Sequence, residues 1–120
     1  MSNLRQANVL RLMGPIVNKT QTSASLVLKE SIVKARITVS AAINIDKIVS
    51  TWEDGRMIQL ISAAGNSDDI TIRDNQSGSN LKVDGTSITL GATDSVWFRA
   101  DIASSGAKVW MQDTPVMNIT

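Results

Sequence analysis

The feature that most narrows the folds open to this chain is a period of two. From Met57 onward, apolar residues alternate with polar ones in short runs: Ile58 and Leu60, Ile70 and Ile72, Leu81 and Val83, Ile88 and Leu90, Val96 and Phe98, Val109 and Met111. Successive side chains of a strand point to opposite faces, so each pair defines one apolar face, and Thr71, Arg73, Lys82, Thr89 and Arg99 are expected on the wet one. Turn formers separate the runs: Asp54-Gly55, Asn66-Ser-Asp-Asp69, Asp74-Asn-Gln-Ser-Gly78, Asp84-Gly85, Gly91 and Ser104-Ser-Gly106. Strands are therefore predicted over 57–63, 69–73, 81–83, 87–90, 95–101 and 108–111, with shorter β-rich pieces at 26–28, 32–33, 37–39 and 43–45.

The expected fold is all-β, made of short antiparallel strands. Two apolar residues per strand form a thin stripe, and two architectures bury a thin stripe. One is a small sandwich-like body closed within a single chain. The other is a narrow β-prism, an intertwined homotrimer in which three chains bury their stripes on a shared axis and cover one another's sheet edges.

Composition agrees with strands and turns, since 13 Ile, 10 Val and 10 Thr stand beside 14 Ser and 8 Asn. The only aromatic residues are Trp52, Trp97, Phe98 and Trp110, so the core must come mainly from small aliphatics. A chain of 120 residues buries only about two-thirds of its unfolded surface by itself, which favours self-association. The sequence holds no Cys and no His. That excludes a disulfide framework and thiolate zinc sites, and it removes the commonest general base and transition-metal ligand.

Residues 1–25 read differently from the rest. Gly14-Pro15 breaks any regular element, the residues before it suit an extended or short-helical arm, and the polar run 20–25 reads as a linker. The expected organisation is a basic N-terminal arm and linker over 1–25 and a β-rich trimerisation domain over 26–120. Residues 1–36 carry six cations against Glu30, a net of +5, and residues 37–120 carry six against ten acids, a net of −4. The basic end suits an acidic surface. No Lys/Arg cluster is interleaved with aromatics, so no nucleic-acid partner is expected. Neither a signal-peptide layout nor an apolar run of about 18 residues occurs, and a soluble product made in the cytoplasm, with no membrane partner, is expected.

Seven pieces in order then carry a likeness: Ile43-Asn-Ile-Asp-Lys-Ile48, Trp52-Glu-Asp-Gly-Arg-Met-Ile-Gln-Leu60, Asp69-Ile-Thr-Ile-Arg-Asp74, Gly78-Ser-Asn-Leu-Lys-Val83, Ser87-Ile-Thr-Leu90, Asp94-Ser-Val-Trp97 and Lys108-Val-Trp110. Together, across 37–112, they resemble the C-terminal trimeric β-prism module of bacteriophage tail fibres and tailspikes. The chain departs from that pattern at Trp97-Phe98-Arg99, where a plainer aliphatic strand is usual, and at Met111-Gln112, where an acidic residue often follows the last Trp.

The resemblance implies an obligate homotrimer on a virion surface. Ile58, Leu60, Ile70, Ile72, Leu81, Val83, Ile88 and Leu90 are the expected trimer core, with burial inside one chain as the other reading of the same residues. If the chain is the whole polypeptide, the expected function is that of a trimeric capsid decoration or cement protein. It would dock on the major capsid protein through Arg5, Arg11 and Lys19 and sit on the outer capsid surface. The alternative is a short tail fibre or receptor-binding tip, seated on a tail protein, that holds host surface polysaccharide on Trp52, Trp97 and Trp110. An enzyme is not expected: of Glu30, Glu53, Asp68, Asp69, Asp74 and Asp84, nearly all the aspartates fall in turn signals where they bond their own backbone. No calcium loop pattern occurs, and neither metal nor cofactor is expected.

Overall fold

A computed structural model describes residues 15–29 and 32–119, and among them there is no helix. Twelve strands follow one another: β1 (Ile16–Thr20), β2 (Ser25–Val27), β3 (Lys34–Thr38), β4 (Ile43–Ile45), β5 (Lys47–Val49), β6 (Met57–Ser62), β7 (Ile70–Arg73), β8 (Leu81–Lys82), β9 (Ser87–Leu90), β10 (Asp94–Ile102), β11 (Lys108–Gln112) and β12 (Met117–Asn118). The main sheet runs β1-β3-β6-β10-β11-β8, with β12 beside the start of β10. Two smaller sheets, β2-β5 and β4-β7-β9, complete the body. The six strands predicted after residue 56 fall within one residue of those observed.

The all-β expectation holds, but the pairing is mixed rather than antiparallel. Five of the nine strand pairings are parallel: β1 with β3, β3 with β6, β2 with β5, β4 with β7, and β8 with β11. The reason lies in the connections. The chain leaves the main sheet after β1 and after β3, adds strands to the smaller sheets, and returns at the same end, which makes the returning strand parallel to the one it left. Only β10 and β11 form a tight hairpin, closed by Ala103 and Ala107 and by Gly106, whose φ of +86° favours a residue without a side chain.

Alternation decides which side chains meet. Ala35 and Ile37 of β3, Ile58 and Leu60 of β6, and Val96, Phe98 and Ala100 of β10 point from the main sheet to the same side as Trp110 and Leu81. There they join Leu26, Ile45, Ile48, Ile70, Ile72 and Leu90 of the smaller sheets in one core cluster. Of the residues expected at a trimer axis, Ile58, Leu60, Ile70, Ile72 and Leu90 are fully buried in the single chain and Leu81 is 2% exposed, while Val83 and Ile88 pack partly buried against the same cluster. For the first six this is the other reading of the same residues, burial inside one chain, where a side chain out of water has little apolar area left for a second chain to cover.

The N-terminal segment also departs from expectation where it is described. Ile16–Thr20, placed in the arm by sequence, is an edge strand of the main sheet in register with β3 from Ile16 beside Lys34 to Thr20 beside Thr38. The linker run bends through Gln21, whose buried side-chain amide donates to the carbonyls of Ser23 and Ser25. Arg5, Arg11 and the rest of 1–14 lie outside the described residues.

Two asparagine side chains act as pieces of backbone. The Asn66 amide donates to the Ile37 carbonyl at 2.9 Å and accepts from the Val39 N–H at 3.0 Å. Asn80 does the same with Ile48, donating to its carbonyl at 2.7 Å and accepting from its N–H at 2.9 Å. Asn80 supplies both partners that a neighbouring strand would give Ile48, and Asn66 supplies the acceptor for the Val39 N–H just beyond the end of β6, adding a second donor to the Ile37 carbonyl that already accepts from the Ala63 N–H.

Candidate functional site: the open face of the main sheet

The smaller sheets cover one face of the main sheet, and the other keeps a partly exposed strip beside the buried Ile61, Ser95 and Val109. Alternation places Lys34 and Arg36 of β3, Met57 and Gln59 of β6, Trp97, Arg99 and Asp101 of β10, and Met111 of β11 on this open face, and all eight keep part of their surface in water. Two buried residues confirm the assignment of faces. Ile61 and Val109, opposite in phase to the core positions, are 3% and 6% exposed yet stand outside the core cluster.

Register turns these residues into rows. Ile16, Lys34, Gln59 and Trp97 lie side by side across β1, β3, β6 and β10. Met57, Arg99, Met111 and Lys82 form the next row toward the β10–β11 hairpin. Asn18, Arg36, Ile61 and Ser95 form the row on the other side. With adjacent strands about 4.8 Å apart, Lys34 and Trp97 are separated by about 10 Å, with Gln59 between them.

The hairpin end of the face carries a charge network. Arg99 bonds Asp113 at 2.7 Å and Asp101 at 2.9 Å. The Asp101 carboxyl is held below the ordinary aspartate range, first by the Ile102 N–H it accepts and then by Arg99. Asp101 and Asp113 in turn raise the Arg99 guanidinium above its usual value. Beside this network an open groove of about 430 Å³ is lined by Lys82, Asp84, Ser104, Met111 and Gln112, among others.

The three tryptophans that are candidate glycan contacts are not brought together. Trp110 lies on the core face and is 1% exposed, which removes it as a glycan contact. It occupies the inner phase because Ala100, its partner across the ladder, leaves room for the indole. The Arg56 guanidinium lies 5.6 Å from its ring centre and hydrogen-bonds Ser50 Oγ at 2.7 Å, with the Thr51 and Ile32 carbonyls as further acceptors. Trp52 packs partly buried against the core, donates Nε1–H to the Val109 carbonyl at 3.1 Å and receives Lys108 Nζ at 5.0 Å from its ring centre. Both indoles are parts of the frame. Trp97 alone stands half-buried on the open face, outside the core cluster.

Lys19, expected to dock on a capsid, pairs in register with Ile37 and so stands on the inner side of the edge strand, away from the open face. The carboxylates serve local structure. Asp46 forms a two-point pair with Arg73 at 2.7 and 2.8 Å, Asp74 accepts from the Val83 N–H, and Asp94 accepts from the Gly91 N–H. Among the described residues no group of three or more His, Cys, Asp or Glu side chains is placed to hold a metal ion. Sequence reasoning missed Lys34, Arg36 and Gln59 as neighbours of Trp97. The alternation in Lys34-Ala-Arg-Ile-Thr38 carried the facing of the two cations but not their place beside β6. Comparisons of the chain with protein-family models, with curated proteins and with solved structures find no match.

Proposed function

We propose that this chain is a non-catalytic β-module of a bacteriophage virion surface protein, a short tail fibre or receptor-binding tip that holds host surface polysaccharide on the open face of its main sheet. The observation that carries the reading is Trp97. It is a partly exposed indole on the sheet face, outside the core, in line with an amide and flanked by Arg99. An aromatic face takes the C–H face of a pyranose ring, and the amide and charged groups around it take hydroxyls. The groove beside Met111 adds Lys82, Asp84, Ser104 and Gln112 as further polar groups at its rim. The resemblance of the seven sequence pieces to phage fibre modules supports the virion setting and the homotrimer. With Ile58, Leu60, Ile70, Ile72, Leu81 and Leu90 buried within one chain, a trimer would form through the remaining surface, which includes the partly buried Val83 and Ile88.

The decoration-protein reading keeps one specific support. Among the described residues β1 is an edge strand of the main sheet, paired on one side with β3, with Ile16 and Val17 39% and 38% exposed, so a capsid protein docked at this end would meet a sheet edge. Fluorescently labelled chain incubated with host bacteria separates the two. Wild type is expected to coat the cells and Trp97→Ala to lose that coating, whereas equal coating by both would refute the receptor-binding reading. Antibody labelling of heads instead of tails in electron micrographs of the virion would favour decoration.

A further inference from the structure

We infer that the polysaccharide held on this face is anionic, and that Lys34 and Arg36 are the residues that select it; the inference rests on the glycan-binding reading of the same face. The first ground is the charge pattern. The ion pairs formed among the described residues use Arg73 and Arg99, and neither Lys34 nor Arg36 takes part in one. Arg36 gives one hydrogen bond, to the Asn18 side-chain oxygen at 3.3 Å, from a guanidinium with five donors.

At the other end of the face Arg99 is neutralised by two carboxylates, Asp101 and Asp113, and Lys82 stands in the same register row. An anionic ligand is therefore attracted to the two cations on β3, whose charge no carboxylate among the described residues offsets by an ion pair.

The second ground is spacing. Trp97 and Lys34 lie in one register row two strands apart, about 10 Å, which suits a sugar stacked on the indole and an acidic group on a neighbouring sugar at the cation. Gln59 lies between them in the row, within reach of hydroxyls along the way. Arg36, one step along β3 on the same face, supplies the planar two-point geometry that matches a carboxylate or a phosphate diester. The chemistry shared by both sources is a singly charged oxyanion carried by the repeating unit.

The test is binding of the labelled full chain to a printed array of purified bacterial polysaccharides with carboxylated, phosphorylated and neutral members. Signal is expected on anionic members and is expected to fall several-fold as salt is raised, because the cations keep part of their surface in water. A Lys34→Gln, Arg36→Gln double variant should lose about tenfold in affinity for anionic members while its binding to any neutral member is unchanged. Trp97→Ala should lose binding to all members, with circular dichroism unchanged for both variants. The carboxylated and phosphorylated arms identify which oxyanion is recognised. Binding confined to neutral members, or anionic binding indifferent to the double variant, overturns the anionic assignment and leaves the glycan reading in place. No binding to any member overturns the glycan reading itself, and the assignment falls with it.

Discussion

Replacing Asn66 by Ala tests whether a buried side-chain amide carries the load of a missing strand. Asn66 is 8% exposed and makes three hydrogen bonds, to the Ile37 carbonyl at 2.9 Å, to Ser62 Oγ at 3.0 Å and from the Val39 N–H at 3.0 Å. Net contributions of about 1 kcal/mol per bond, with the Val39 N–H left unpaired beside a side chain only 7% exposed, sum to a loss of about 3 kcal/mol. For a domain of this size that lowers the melting temperature by about 10 °C. Urea unfolding followed by tryptophan fluorescence reads the loss as a shifted midpoint with an unchanged slope. Asn75→Ala, at an exposed turn position, is the control and should stay within about 0.5 kcal/mol of wild type. Asn66→Asp keeps the shape and the acceptor for Val39 but turns a carboxylate toward the Ile37 carbonyl, so at neutral pH it should be no more stable than the Ala variant. A loss below about 1 kcal/mol for Asn66→Ala would refute the idea that the amide replaces strand pairing here.

Three further outcomes follow from the geometry. Trp110→Ala should cost about 3–5 kcal/mol, as expected for a fully buried indole, whereas Trp97→Ala should cost under about 1 kcal/mol and act on ligand binding instead; equal losses in denaturant titrations would contradict the assignment of faces. The Asp101 carboxyl titrates below the ordinary aspartate value of about 3.9 because Ile102 N–H and Arg99 hold it ionised. Its contribution to stability is therefore complete at neutral pH and is lost only as pH falls through that depressed value. In an NMR titration Arg99→Gln should move the midpoint up yet leave it below the ordinary range, since the backbone bond remains, and an unmoved midpoint would exclude Arg99 as a cause. Thr93 is a β-branched residue at φ +67°, a conformation Asn adopts more readily, so Thr93→Asn should raise stability by about 0.5–1 kcal/mol in thermal melts; a lower melting temperature would mean that the Thr93 hydroxyl bond with Asn118 outweighs the strain.

Strand positions and facings were legible because both are local. Residues 57–62 and 94–102 alternate strictly enough that the inward phase can be read from Ile58, Leu60, Val96 and Phe98, and the turn residues between strands mark their ends. The strands at 16–20, 47–49 and 117–118 were not legible. None of them shows two apolar residues in alternation, and what makes them strands is the neighbour they pair with.

The sequence by itself determined that this protein is all-β, that its core is mainly aliphatic, and which residues of each strand point the same way. Tertiary structure alone decided which strands are neighbours. Five parallel pairings join segments separated by excursions through other sheets, and no local signal encodes such a partner. That choice moved Ile58, Leu60, Ile70, Ile72, Leu81 and Leu90 from an expected threefold axis into a single-chain core, buried Trp110, and set Lys34 and Gln59 in line with Trp97. The apolar period states that a residue is buried but not against what, and the candidate site exists only because register, a long-range property, brings three strands into one row.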